Sequence, residues 1–227
     1  MADKKVDKDQ AWRVTAIYTR EEIEKLISDG RIAEDRRVLY ALKALGGLRH
    51  GEAASLRWRQ YNDSLEPLGG LSLEHTKTQV RWRIPVHPTL PRVLDEWRSA
   101  GFERTYGRAS TAIDLVVPTR NFTERSAQET PKQLHDDLRT LGQREGRRHD
   151  LRRTFVTLAQ VDGARRDLLE TMSHGPRSDI VSIYTSFPWP ALCAEIAKLK
   201  IELRSPSPPD GGSKGFATAH VRGRNRW

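Results

Sequence analysis

The chain has 227 residues, 37% of them hydrophobic, enough to build one sizeable domain with its own core. No run approaches the roughly 20 apolar residues of a membrane span, the start lacks a signal peptide's apolar stretch, and one cysteine, Cys193, excludes an internal disulfide or thiolate cluster; a cytoplasmic protein is expected. The 39 Lys and Arg against 30 Asp and Glu give a net charge of +9 and a pI near 9.9, which favours a polyanionic partner such as nucleic acid over an acidic small molecule.

Residues 1–13 are nearly all polar and read as a disordered tail. Thr19-Arg20-Glu21-Glu22 has the form of a helix N-cap with an acidic first turn, followed by Ile23, Leu26 and Ile27 at helical spacing. Val38, Leu39, Leu42 and Leu45 continue a second helical stripe until Gly46-Gly47 break it. A short helix is expected over 51–58. Residues 71–85 alternate apolar and polar side chains around a polar turn, predicting a β-hairpin with Lys77 near its tip. Helical patterns then occupy about 89–99, 131–141, 149–160, 165–172 and 188–203. Ser205-Pro206-Ser207-Pro208-Pro209 ends regular structure, and 204–227 reads as a flexible basic tail. The prediction is one domain over 14–203, mainly α with a small antiparallel β-sheet or hairpin.

Four patches carry groups suited to phosphate chemistry. In Gly46-Gly47-Leu48-Arg49-His50-Gly51-Glu52 a broken helix gives way to a new one with Arg49 at its start, where free N–H groups and a planar guanidinium fork suit phosphate oxygens. Lys77, on the hairpin turn, has the reach of a general acid that protonates an alkoxide leaving group. His149 and Arg152 sit at i and i+3, so an imidazole and a guanidinium share one helical face, with Leu151, Phe155 and Leu158 on the buried side. Tyr184 follows Met172-Ser173-His174-Gly175, and its phenol, with an ordinary pKa near 10, needs a cationic site to act as a nucleophile. Each patch alone also fits a bland reading: an exposed arginine, a solvated turn lysine, a solvated helix face, a core tyrosine. The seven histidines show no metal-ligand spacing and no Walker A loop is present, so neither metal nor cofactor is expected.

Taken in order, Gly-Leu-Arg-x-Gly-Glu, His-Thr-Lys-Thr, His-x-Leu-Arg-x-Thr-Phe, Ser-His-Gly and Ile-Tyr-Thr resemble the tyrosine recombinases of the phage-integrase family, over about 19–199. The resemblance implies the DNA breaking-rejoining fold and the following roles. Arg49 and Arg152 hold the non-bridging phosphate oxygens, Lys77 protonates the leaving 5′ oxygen, and Tyr184 attacks phosphorus. His149 is the acid–base partner, His174 the second phosphate-binding position, and Glu52 the acidic brace. Thr76, Thr78, Arg81, Arg83, Arg147 and Arg153 are candidate DNA contacts. The implied partner is double-stranded DNA, held by a homotetramer. Two departures stand out: His174 and Tyr184 are ten residues apart, one more than usual, and Met172-Ser173 replaces the family's Leu-Gly. The helical core-binding domain that usually precedes the catalytic domain is expected to be absent. In relatives the C-terminal helix docks on a neighbouring protomer; here its apolar stripe, Leu192, Cys193, Ile196, Leu199 and Leu203, equally suits its own domain. A type IB topoisomerase and a non-catalytic DNA-binding module are the competing readings.

Overall fold

The computed structural model describes residues 16–74, 82–147, 149–174 and 187–204. Thr19 caps α1 (Arg20–Ser28): its hydroxyl accepts the Glu22 N–H at 3.2 Å and the Glu22 carboxylate accepts the Thr19 N–H at 2.8 Å. The expected apolar trio, Ile23, Leu26 and Ile27, is buried. In α2 (Glu34–Leu45) every residue from Val38 onward is buried, so this helix runs through the core. Gly46 and Gly47 end it as patterned, and Gly47 takes a φ of +62°, which glycine adopts without strain.

The short helix is shifted and cut in two. α3 spans His50–Ala54 with Arg49 as its N-cap, and a 3-10 turn covers Trp58–Gln60. Between them the chain is held by loop 112–116, where the Trp58 and Arg59 N–H groups donate to Asp114 and Ala112 and Leu56 accepts from Val116. Those long-range bonds replace the helical ladder predicted to continue to residue 58.

The hairpin is present as β2 (Gly70–Leu73) and β3 (Trp82–Pro85), paired antiparallel with Leu71 opposite Ile84 and Leu73 opposite Trp82. Its turn, residues 75–81, lies outside the described residues. A third strand, β1 (Tyr61–Asn62), joins β2 in the order β1-β2-β3. Two residues are too few to show an alternation, which is why the sequence pattern misses it.

Helix α4 (Leu90–Glu96) runs on through a π-type turn, Trp97–Gly101, into α5 (Phe102–Tyr106), well past its predicted end. α6 (Glu129–Thr140), α7 (Asp150–Val161) and α8 (Arg166–His174) fall close to expectation, with His149 as the N-cap of α7. α9 (Trp189–Ile196) stops earlier than the predicted 203. The reason is long-range: the Leu199 carbonyl bonds to the His87 ring at 2.7 Å and the Ile201 carbonyl accepts from the Thr89 hydroxyl at 2.8 Å, so these groups bind another part of the chain instead of extending a helix. Of the predicted stripe, Leu192, Cys193, Ile196 and Leu199 are buried within this chain and Leu203 is partly buried against the same core, so the stripe packs on its own domain.

α7 packs on α2, and their contact depends on Gly47. A Cβ there would lie 2.5 Å from the Phe155 ring, whereas one on Gly107, also at positive φ, would meet nothing within 4 Å. We therefore expect Gly107→Ala to cost about 1 kcal/mol through its dihedral alone, and Gly47→Ala about 3 kcal/mol because overpacking adds to it. Urea unfolding of the two variants measures the difference, and equal costs would contradict the packing argument.

Candidate active site

The turn that ends α2 delivers Arg49 to the start of α3. Glu52, one turn on, accepts the Arg49 backbone N–H at 2.7 Å and its guanidinium at 2.8 Å. The carboxylate is nearly sealed, with 3% of the side chain exposed, while Arg49 keeps 32% and reaches solvent. From α7, Arg152 places Nη1 3.8 Å from the same carboxylate and is itself only 12% exposed. Its guanidinium also donates to the carbonyls of Gly47 and Ser173. One arginine thus ties the turn after α2 to the end of α8, and α8 is tied to the sheet by the Trp82 indole, which donates to the Met172 carbonyl at 3.3 Å.

The electrostatics follow from this packing. Burial, with the Arg49 charge second and Glu52 opposing, pulls the Arg152 guanidinium down to about 10. At neutral pH it remains protonated. Two cations and one anion leave a net positive cluster with one guanidinium open to solvent, the arrangement that receives a second anion.

His149, exposed at the head of α7, precedes Arg152 by one turn, so the predicted pair does share a helix end. Arg83 and Arg147 are exposed, and Arg153 is partly exposed with Nη1 3.4 Å from Asp150. His174 is the last residue of α8, its side chain lying outside what the structure describes. Thr76, Lys77, Thr78, Arg81 and Tyr184 also lie outside the described residues. The structure therefore unites Arg49, Glu52 and Arg152 and puts His149 at the N-cap of the helix that carries Arg152. Sequence reasoning missed the Gly47 and Ser173 carbonyls that seat Arg152. Backbone acceptors have no side-chain signature, and Gly47 was readable only as a helix breaker.

Among solved structures, the chain is similar to the integrase from mycobacterium phage Brujita, with a TM-score of 0.62 and 16% identity over 90% of this chain and 62% of that one. It is also similar to XerA recombinase, with a TM-score of 0.57 and 14% identity over 84% of this chain and 63% of that one. A third match is the XerH site-specific recombinase bound to its difH substrate in a pre-cleavage complex, with a TM-score of 0.55 and 19% identity over 78% of this chain and 52% of that one. The chain thus spans less than two thirds of the length of each. No protein-family model and no curated protein matches the sequence. The fold is that of a tyrosine recombinase catalytic domain.

A net positive cluster around a buried carboxylate is stabilised by an added anion. Inorganic phosphate is expected to raise the Tm of the wild type by about 3 °C beyond sodium chloride at equal ionic strength. Arg49→Met should lose most of that increment. Thermal unfolding followed by circular dichroism checks it, and an equal phosphate effect in both proteins would remove Arg49 from the anion site.

Proposed function

We propose that this chain is the catalytic domain of a site-specific DNA recombinase that cuts and rejoins double-stranded DNA through a 3′-phosphotyrosine intermediate. The observation that carries this reading is the convergence of Arg49 and Arg152, distant in the chain, on Glu52, within a fold shared with recombinases. The XerH and lambda integrase structures are of DNA-bound proteins, one on difH and one on a COC′ core site. The same class of substrate suits a chain of net charge +9.

In this mechanism the scissile phosphate sits over Arg49, which faces solvent, with Arg152 behind it. A phosphodiester carries one negative charge and gains another as the nucleophile adds; the single net positive charge left by Arg49, Arg152 and Glu52 offsets one, and the cationic Lys77 with the proton gained by His149 offsets the other. The Tyr184 oxygen bonds to phosphorus as the bond to the 5′ oxygen breaks. The phenolic proton passes to His149, and Lys77 protonates the departing 5′ oxygen. Reversal, with an incoming 5′ hydroxyl as nucleophile, frees Tyr184 and restores the phosphodiester, so no ATP is consumed. Charge neutralisation is assigned to these cationic side chains, so the proposed reaction calls on no metal. His174 adds a second contact to the phosphate, and Arg83, Arg147 and Arg153 contact the flanking backbone, as do Thr76, Thr78 and Arg81 from the hairpin turn. Exchange of strands between two duplexes is carried out by a homotetramer on DNA.

The test uses nicked duplexes with a randomised core, incubated with the chain in low salt and EDTA. Wild type should give SDS-resistant protein–DNA adducts, and Tyr184→Phe none. Arg152→Ala should lower adduct formation by about 10²–10³-fold. Adducts that persist in Tyr184→Phe would displace the assigned nucleophile; binding without adducts in the wild type would favour a non-catalytic DNA-binding module.

A further inference from the structure

The segment 143–147 that leads toward His149 is held by residues just ahead of α1 and within it, by His135 and Leu138 of α6, and at Arg147 by Asp150 of α7, whose carboxylate accepts the Arg147 N–H at 2.7 Å. Arg144 donates to the Ile17 carbonyl at 2.6 Å and stacks its guanidinium 4.6 Å from the Tyr18 ring centre. Gln143 donates to the Glu22 carbonyl at 3.0 Å, and Lys25 reaches the Leu141 carbonyl at 2.9 Å. On the other side, the His135 ring bonds to the Gly146 carbonyl at 2.9 Å.

Tyr18 lies beneath this segment, 1% exposed. Its backbone N–H donates to the hydroxyl of Thr154, on α7 beyond Arg152, at 3.0 Å. Its phenol oxygen occupies the space a side chain on Gly146 would take, since a Cβ there would fall 1.4 Å from it. The hydroxyl is buried with no hydrogen-bond partner among the described residues. A buried hydroxyl without a partner keeps its desolvation cost and gains no bond in return, so what the ring supplies here is volume. One residue therefore touches the entry to α7 by its ring and the body of α7 by its backbone. His149 and Arg152 lie between these two contacts.

We propose that Tyr18 is a positioning residue for the His149–Arg152 half of the site, its ring setting the height at which segment 143–147 delivers His149 to the head of α7. The inference rests on the recombinase reading for its chemistry, but the placement it describes is independent of DNA. It accounts for glycine at 146 and for a phenol with no partner among the described residues together. Substituting either contact surface should move His149 without touching the phosphate-binding arginines directly.

The experiment compares Tyr18→Phe, Tyr18→Leu and Gly146→Ala in the full chain. Two readouts are used: the His149 ring resonances in a proton–carbon NMR spectrum, and the single-turnover rate of adduct formation at saturating duplex. Tyr18→Phe, which keeps the ring and drops only the unpartnered hydroxyl, should match wild type in both. Tyr18→Leu and Gly146→Ala should shift the His149 resonances and slow adduct formation at saturating duplex by about 10–100-fold, with DNA affinity lowered by no more than about tenfold, since of the proposed backbone contacts only Arg147 lies in the displaced segment. If either variant fails to fold, the other carries the test. Unmoved His149 resonances in a folded Tyr18→Leu or Gly146→Ala overturn the proposal whether or not DNA is cut. Absence of adducts in the wild type instead sinks the recombinase reading, leaving the NMR comparison to decide the placement.

Discussion

The buried carboxylate of Glu52 is the group on which the site depends. It accepts a backbone N–H and a guanidinium from Arg49 and stands 3.8 Å from Arg152. Without it, two cations would face each other across the junction of α2, α3 and α7, one of them almost wholly enclosed. Removing one partner from such a cluster is strongly destabilising, because it leaves an uncompensated buried charge. Since one carboxylate offsets only one of the two guanidiniums, the cluster stays positive after folding. The fold thus tolerates an incompletely neutralised cation in its interior, an arrangement that makes sense where a second anion arrives from outside.

Much of this was legible from residue order. The glycine pair ending α2, the Thr19 cap, the hairpin and the i,i+3 pair on α7 all follow from local rules, and the structure keeps each of them. What was not legible is long-range. The helix predicted over 51–58 yields to backbone bonds with loop 112–116, and the one predicted to 203 yields to His87 and Thr89. In both cases a partner far along the chain takes the hydrogen bonds that a local pattern assigns to a helix. The seating of Arg152 on two carbonyls belongs to the same class, since any residue type presents a carbonyl.

These non-local bonds are not spread evenly. Arg152 links the turn after α2 to the end of α8, Trp82 links α8 to the sheet, and Tyr18 links the start of the described chain to Gly146, ahead of α7, and to Thr154 within it. The elements bearing the candidate groups are therefore cross-braced by contacts that the secondary structure alone would not supply. Such bracing is what a phosphate site of fixed geometry requires, because a displacement of about 1 Å at the reacting groups can cost about 10²-fold in rate.

The lowered proton affinity of Arg152 follows from its enclosure beside a second guanidinium. Burial is the leading cause and the neighbouring Arg49 the next, so the enclosed guanidinium is less comfortable than one in water. Its folded value lies below its unfolded one, so the penalty is present in full at neutral pH and is relieved only in strong alkali, as the pH climbs past about 10. Under ordinary conditions an anion is the available source of relief. A phosphate that approaches the exposed edge of Arg49 supplies negative charge to both arginines, and one that gains charge as it reacts supplies more. In the reaction proposed above, the same burial that costs the fold stability would favour the more highly charged transition state over the ground state, which is the condition for catalysis.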